Sequence, residues 1–473
     1  DFLNIEPKSS LTANSFYETA EDAQSAINSA YASLQTSSMY SENYPKLIQS
    51  GTNDVILNNT TGLSLDSWSF AADIGPIDPV WQACYEGIFR SNLVMQEIPD
   101  IEMDEAVKTR ILGEARFLRA LYYWHLSTVF GEVPIITEAD PQNIAKAVAP
   151  KSPVDEIYNV MIDDLEQAVE RLPRRSEYGD MNIGRATRGA AQALLGKVHL
   201  YNESYAVAEA YFDSVITSGE YALINDFSNL WITDNNAESI FEVQYQNVGG
   251  SAWASTDAAN NNEGNLRAIL NYPNGHGGFG NILPTQNMVD EFENYNGAAA
   301  IDGKDPRLSY SIFQEGDDYD QVEPVFNSDW SPTGYAMKKG MFPVLRDVDA
   351  SSRNIVLIRL ADVLLMYAEA ANENGKPAEA IDAINTVRQR VGMPDLPTSE
   401  YPVSTQQEIF EAIVHERRVE LAFEYHRLND LKRWGLAEEV LGSEGYQSPK
   451  HRYFPIPQQE LNTNPELEQN PNY

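Results

Sequence analysis

The chain has 473 residues, of which 42% are hydrophobic and 22% charged, a composition that excludes intrinsic disorder and leaves room for a large core. Asp and Glu number 70 against 33 Lys and Arg, so the formal net charge is −37. Such a surface repels nucleic acid, whose phosphates are bound through Lys and Arg. The single cysteine, Cys84, excludes an intramolecular disulfide framework, and no apolar run approaches the ~20 residues that a membrane helix needs.

Two long helices are predicted in the first third of the chain. The first covers residues 106–129, and its apolar residues recur at spacings of three and four: Ile111, Leu112, Phe117, Leu118, Leu121, Tyr122 and Leu126. The second begins at Ser152, read as an N-terminal cap with Pro153 at the first helical position, and runs to about Arg171.

Residues 190–220 and 359–391 share a finer pattern, in which a small residue is followed twelve positions later by alanine and then by large apolar residues. The matching positions are Gly196, Ala208, Phe212 and Val215 in the first segment, and Ala368, Ala380, Ile384 and Val387 in the second. This spacing is typical of tetratricopeptide repeats, in which small residues let two paired helices approach closely. The repetition predicts a helical-repeat scaffold.

Residues 225–352 are different, because they are rich in Asn, Gly and Asp and lack helical periodicity. We interpret them as a large irregular insertion with short strands, such as residues 239–244, and expect the polar loop 51–78 to lie beside it. The predicted fold is a single, mainly α domain. Its repeat scaffold spans approximately residues 14–224 and 353–440, its irregular ligand-binding region 225–352 plus 51–78, and its C-terminal tail 441–473.

Motifs for catalysis or metal binding are not found in the sequence. His415-Glu416 begins like a zinc-protease motif, but Val419 occupies the second ligand position. The acidic stretch that contains Asp317, Asp318 and Asp320 lacks the spacing of a calcium loop, so hydrated surface is the preferred interpretation over a calcium site. We predict no catalytic residues, no metal site and no cofactor.

Charges of alternating sign occupy residues 415–427, with Arg417 close to Glu420 and Glu420 two turns before Arg427. We interpret this pattern as a structural ion-pair network that holds the C-terminal segment, rather than as an active site.

Aromatic residues carry the functional prediction. Trp68, Trp253, Trp330 and Tyr272 stand in polar, loop-like segments rather than in apolar helices. A flat ring exposed to water is suited to recognition, and in carbohydrate binding it stacks on the C–H face of a sugar while nearby amides bond the hydroxyls. The alternative for each ring is that it anchors its loop to the scaffold.

Several segments resemble the SusD/RagB family of Bacteroidetes. They are the N-terminal residues 1–12 (DFLNIEPKSSLT), residues 113–123 (GEARFLRALYY) with 130–134 (FGEVP), residues 416–434, and the ending FPIP at 454–457 with QNPNY at 469–473. These motifs span both ends and the middle of the chain.

The resemblance implies a cell-surface lipoprotein of the outer membrane that binds glycans, is not an enzyme, and covers a SusC-like TonB-dependent transporter. It also implies an N-terminal lipid anchor on a cysteine that this chain does not contain, which we expect to have been removed with a signal peptide. Family glycan sites often use an aromatic shortly before a Trp-x-x-x-Tyr helix, here Trp81 and Tyr85, which favours Trp68 together with Asn58 and Asn59.

The negative net charge favours a neutral ligand, such as a laminarin-like β-glucan or an α-glucan, over alginate or a sulfated glycan. Two other functions remain open from the residues alone. A tetratricopeptide array can bind a protein partner in its groove, and the abundant carboxylates leave a glycoside hydrolase possible.

Overall fold

Helices dominate this computed structural model, which describes residues 17–59, 64–139, 148–247, 263–344 and 350–473. The helices are α1 Ala20–Gln35, α2 Asn43–Gln49, α3 Ile77–Glu97, α4 Glu105–Phe130, α5 Val154–Arg171, α6 Arg188–Tyr201, α7 Tyr205–Ile216, α8 Arg267–Asn271, α9 Gln286–Glu291, α10 Arg307–Ser311, α11 Leu360–Glu373, α12 Pro377–Arg390, α13 Gln406–Glu420, α14 Arg427–Arg433, α15 Ala437–Leu441 and α16 Gln458–Thr463.

The strands are short and pair two by two. They are β1 Val55–Leu57, β2 Ser239–Val243, β3 Ile282–Pro284, β4 Ile312–Phe313, β5 Ala336–Met337 and β6 Ile355–Arg359. The antiparallel pairs are β1–β3, β2–β6 and β4–β5. The predicted class, mainly α with a few short strands in the irregular part, is confirmed.

The helix ends follow local chemistry. The side chain of Asp104 caps α4 by accepting bonds from the N–H groups of Ala106 and Val107, both at 3.0 Å. At α5 the prediction was off by one residue, because Pro153 is itself the N-cap and the helix begins at Val154. Ser152 lies one residue before this cap, where its backbone N–H donates to the Val133 carbonyl (3.0 Å).

The two segments with the finer pattern each form a pair of packed helices, α6 with α7 and α11 with α12, and α11 also packs on α7. The small residue predicted at the first crossing is required sterically. A Cβ atom at Gly196 would lie 2.6 Å from Cε1 of Phe212, well inside van der Waals contact.

We therefore expect Gly196→Ala to lower the free energy of unfolding by about 1–2 kcal/mol, because overpacking outweighs the higher helix propensity of alanine. Chemical denaturation measures this change. Gly179→Ala is the matched control, because nothing lies within 4 Å of its added Cβ. Equal stabilities for the two variants would contradict the close helix crossing.

Loop 51–78 joins the irregular region through β1 and β3. Val55 pairs with Pro284 and Leu57 with Ile282. One residue further, the N–H of Asn58 donates to the Asn281 carbonyl (2.8 Å). This pairing places the end of β1 beside the loop that precedes β3.

A buried ion-pair network lies where α10, α13 and β6 meet. Arg307 bonds Glu416 (2.5 Å) and Glu420 (3.1 Å), and Arg359 bonds Glu420 (2.6 Å), with all four side chains at most 1% exposed. The predicted network is present, and it links segments that are distant in sequence.

The individual pairs expected from helical spacing were wrong. Arg417 bonds Asp362 and Asp430, each at 2.9 Å, and not Glu420. Arg427 lies against Asp54 at 4.0 Å. The partners differ because the Glu420 carboxylate points inward. There it binds Arg307 and Arg359, which belong to other elements, instead of Arg417 on its own helix.

Burial also determines the charge of the core histidines. The ring of His125 is 2% exposed, and burial lowers its pKa to about 3, with Lys197 contributing in the same direction. Its Nε2 bonds the Tyr40 hydroxyl (3.0 Å). The folded protein therefore holds His125 neutral at neutral pH.

Because the unfolded chain protonates this histidine near pH 6.5 and the folded chain near 3, its contribution to stability is complete above 6.5 and falls as the pH decreases. We expect the stability of the wild type, relative to His125→Gln, to decrease by about 2–3 kcal/mol between pH 6.5 and 4.5. Urea denaturation of both proteins across this range measures it. A difference that is independent of pH would contradict a neutral, buried His125.

Candidate functional site

Trp330 and His276 form an aromatic stack in the irregular region. Their ring centroids are 4.0 Å apart and their planes differ by 11°. Trp330 ends a short 3₁₀ turn, Ser328–Trp330, and its side chain is only partly buried. We call this pair the platform; its two rings lie face to face, and both side chains are still partly exposed to water.

Contacts behind the platform hold it in place. The rings of Tyr319 and Phe326 meet Trp330 edge to face, with centroids at 5.3 and 5.6 Å. Tyr319 also donates its hydroxyl to the carbonyl oxygen of His276 (2.5 Å). These contacts fix both rings before any ligand arrives, which reduces the entropy lost on binding.

Polar contacts orient the same pair. His276 Nδ1 hydrogen-bonds the Glu323 carboxylate (2.7 Å), which fixes the rotation of the imidazole. On the other side, the N–H of Ser328 donates to Glu315 (2.7 Å), and this bond lowers the pKa of the Glu315 carboxyl. The carboxylates therefore serve as hydrogen-bond acceptors that position the two halves of the platform.

The loop that carries His276 depends on glycine. Gly275 and Gly277 have φ of +80° and +102°, a region that other residues rarely adopt. The same loop presents Phe279, whose side chain is 46% exposed. The glycines therefore allow a tight turn that brings His276 to the surface, three residues before Phe279.

A groove of about 660 Å³ adjoins the platform. Tyr319 forms one of its walls, Val322 and Phe342 supply apolar surface, and Asp318 and Asp320 supply carboxylates. Val322 is 69% exposed. The groove is large enough for a small ligand, and it shares Tyr319 with the contacts that hold Trp330.

Trp68 is not on this surface, which corrects the expectation that its ring is exposed. It is 3% exposed, and its Nε1–H donates to the Gly51 carbonyl (3.0 Å). Its ring packs on Tyr446 and Phe454 of the C-terminal tail, at 4.8 and 6.0 Å. Trp68 anchors its loop to the tail, which is the alternative role considered for these rings.

Tyr272 is likewise corrected. It is 1% exposed and donates its hydroxyl to the Met341 carbonyl (2.5 Å), so it supports the loop from below. Asn58 is exposed at the end of β1, and Asn59 is partly buried beside it. Trp253 lies outside the described residues.

Of the predicted site residues, the structure therefore leaves Asn58 exposed and Trp330 and Asn59 partly exposed. His276 and Tyr319, which complete the platform, were not predicted. The signal that could have found His276 is its position between Gly275 and Gly277, since a glycine-flanked aromatic ring marks a turn that presents a side chain.

Two of the acidic residues considered for calcium, Asp317 and Asp320, have protein partners. Asp317 accepts from Lys338 Nζ (3.0 Å), and Asp320 accepts from the N–H groups of Val322 (2.7 Å) and Glu323 (2.6 Å). These contacts stabilise the turn that forms the groove wall.

Glu293, His415 and Glu416 also bring potential metal ligands within 4.8 Å of one another. Arg388 Nη1 already donates to Glu293 (2.6 Å) and Glu416 (3.0 Å), so these groups belong to the buried ion-pair network. Its many cations balance the carboxylates that a metal would require.

None of the described helices combines the length and apolarity that crossing a bilayer requires. The side chains of the candidate site described above lie in loops and turns.

Comparisons with known proteins cover nearly the whole chain. A SusD-like protein of Formosa agariphila is 28% identical over 508 aligned residues, which include 100% of this chain and 95% of the relative. The starch-binding protein SusD of Bacteroides thetaiotaomicron is 25% identical, over 78% of this chain and 74% of that protein. The solved structure of a laminarin-binding SusD-like protein has a TM-score of 0.80 and 29% identity, covering 97% of this chain and 100% of that one.

Two family models match complementary parts of the sequence. A model described as starch-binding associating with outer membrane matches residues 1–200, and the SusD family model matches residues 237–473, half of the chain. The chain belongs to the SusD family.

Proposed function

We propose that this protein captures polysaccharides or oligosaccharides at the cell surface through the platform formed by His276 and Trp330. The observation that carries the proposal is their parallel, face-to-face stack, with centroids 4.0 Å apart and both side chains still partly exposed. The laminarin-binding structural relative, at 29% identity over nearly the full length, supports a glycan as the ligand.

The physical basis is the pairing of a flat ring with the C–H face of a sugar. Each aromatic contact contributes about 0.5–1.5 kcal/mol beyond burial of area, by analogy with aromatic pairs. A few such contacts on an open surface give binding free energies of roughly −4 to −8 kcal/mol, a Kd between millimolar and micromolar. Asn58, exposed next to the loop of His276, is the amide that we propose bonds a sugar hydroxyl.

The ligand that we propose is a neutral glucan, either a laminarin-like β-glucan or an α-glucan. Asp318 and Asp320 in the adjoining groove, together with a net charge of −37, disfavour a polyanionic chain. The names of the relatives, one laminarin-binding and one starch-binding, support the same two classes.

We further propose that the protein is not an enzyme and passes its glycan to a SusC-like TonB-dependent transporter in the outer membrane, to which an N-terminal lipid anchor holds it. The family description, starch-binding associating with outer membrane, supports this location. Co-purification of a tagged transporter with the full-length lipoprotein from native membranes tests the partnership. Recovery of the lipoprotein without a transporter would contradict it.

Trp330→Ala tests the glycan site directly. We expect it to weaken binding of laminarin or of starch at least 10-fold, about 1.4 kcal/mol or more, because the stacking surface is removed. Affinity electrophoresis in gels that contain each polysaccharide, followed by calorimetry, measures the change. The variant should remain folded at the assay temperature, although its melting temperature falls because the contacts with Tyr319 and Phe326 are lost.

Trp434→Ala is the matched control, because this tryptophan is also partly buried but packs on Phe410 of the helical scaffold. It should retain wild-type affinity. Equal affinity of Trp330→Ala and wild type for a glycan that the protein binds would remove the platform from the site. Reducing ends released from either polysaccharide would overturn the non-catalytic assignment.

A further inference from the structure

A small polar cavity lies within the helical scaffold and does not share residues with the platform. Its volume is about 40 Å³. Helices α4 and α6 and the turn between α13 and α14 form its walls. Its polar lining includes Tyr40, His125, Lys197, Tyr425 and Asn429, and also Tyr44, Tyr201, Glu424 and His426.

Two polar atoms at this cavity have no partner among the described residues. They are Nδ1 of His125 and the hydroxyl of Tyr425. Their side chains are 2% and 8% exposed, so bulk water does not satisfy them. A buried polar atom that is left unpaired destabilises a fold, and native proteins rarely leave such atoms without a hydrogen bond.

Lys197 adds donor capacity to the same cavity. Its Nζ lies 3.4 Å from Asp362 Oδ2 and 3.3 Å from His426 Nδ1, both long contacts. An ammonium has three donors, so these two contacts leave a third, and the face of the Trp124 ring lies 5.8 Å from the same nitrogen.

The charges around the cavity are balanced. Lys197 faces Asp362, which Arg417 also bonds (2.9 Å), and Glu424 is paired with Arg359 (2.6 Å). The ring of His426 adds no charge at neutral pH, because burial lowers its pKa to about 4. Balanced charge favours a neutral ligand over an inorganic anion or a metal ion.

We propose that this cavity is a binding site for internal water, which bridges His125 Nδ1, the Tyr425 hydroxyl and the Lys197 ammonium. Its volume accommodates about one or two water molecules, and three polar partners are the usual complement of a buried water. The bridge ties α4 and α6 to the turn that precedes α14. At this turn Phe423 and Tyr425 adopt φ of +65° and +71°, a conformation that needs support when the residue is not glycine.

Crystallography of the whole chain tests the ligand. At near-atomic resolution we expect ordered density in the cavity, within hydrogen-bond distance of His125 and Tyr425. Crystals soaked in bromide should show no anomalous peak there, and crystals under xenon pressure should show no xenon, since dry apolar cavities are the ones that take xenon. A bromide peak would show that the cavity binds an anion rather than water. Bound xenon, or an absence of density, would also overturn the proposal.

A pair of conservative variants tests the same point in solution. Tyr425→Phe removes a hydroxyl that the bridge uses, so we expect the density to weaken and the melting temperature to fall by about 1–2 °C. Tyr245→Phe is the matched control, because its buried hydroxyl is also unpartnered but does not line the cavity. Its melting temperature should stay the same or rise. A Tyr425→Phe variant at least as stable as the wild type would overturn the bridge.

Discussion

Replacing Trp68 with alanine is expected to lower the free energy of unfolding by about 3–5 kcal/mol, the range for a large aromatic removed from a packed core. The ring is 3% exposed and contacts Tyr446 and Phe454. Its Nε1–H donates to the Gly51 carbonyl (3.0 Å), an acceptor that the substitution leaves unpaired. Denaturation by urea at neutral pH measures the loss.

Glycan affinity separates this structural role from a role in binding. At a temperature where Trp68→Ala remains folded, its affinity for laminarin or starch should equal that of the wild type, in contrast to Trp330→Ala. Trp68→Phe should lose less stability than the alanine variant, because it keeps most of the ring contacts. A stable Trp68→Ala protein with weakened glycan binding would restore Trp68 to the site.

Glu420→Gln is the second substitution with a large expected effect. Burial alone would raise the pKa of the Glu420 carboxyl. The pKa nevertheless lies below its usual range, because the carboxylate faces the guanidinium groups of Arg390, Arg359 and Arg307. Neutralising the carboxylate leaves buried guanidinium groups without their shared counter-charge. Removal of one partner from a buried ion pair costs about 3–5 kcal/mol, and we expect a loss of this size in the free energy of unfolding.

The pH dependence provides a check that a packing defect would not reproduce. Because the folded pKa of Glu420 is depressed, its stabilisation is present above the unfolded pKa of about 4.3 and is lost as the pH falls below it. The stability difference between wild type and Glu420→Gln should therefore shrink in acid. Glu411→Gln, on the exposed face of the same helix, is the control and should change stability by less than about 0.5 kcal/mol. Equal stabilities of the two variants would contradict the network.

Local sequence patterns were sufficient to predict the long helices. Residues 106–129 were predicted and α4 spans Glu105–Phe130, while the end predicted near Arg171 coincides with the end of α5. These boundaries depend on capping residues and on periodicity within a few turns, and both are properties of adjacent residues. The close crossing at Gly196 was predicted for the same reason, since the pattern lies within two consecutive helices.

The ion pairs could not be predicted from spacing. On the sequence Glu420 has Arg417 and Arg427 as its nearest helical neighbours, yet Arg307 and Arg359 bind it in the fold. A long side chain reaches several possible partners, and its choice depends on which elements the tertiary structure brings to the same buried junction.

Exposure of the aromatic rings also depends on the tertiary structure. Trp68 and Trp330 both stand in polar loops, and only one of them retains access to water. Trp68 is covered by Tyr446 and Phe454 from the far end of the chain, whereas Trp330 is held by nearby Tyr319 and by His276 from another loop. The residues next to a tryptophan in sequence do not indicate distant contacts of this kind.

The amino-acid sequence by itself determined the helical scaffold, the irregular region and the family resemblance, because periodicity, capping and motifs are written in neighbouring residues. Only the tertiary structure decided that Trp68 and Tyr272 are buried, that His276 completes the platform with Trp330, and which charges pair in the core. The physical reason is that burial and ion pairing depend on segments that meet only when the whole chain has folded.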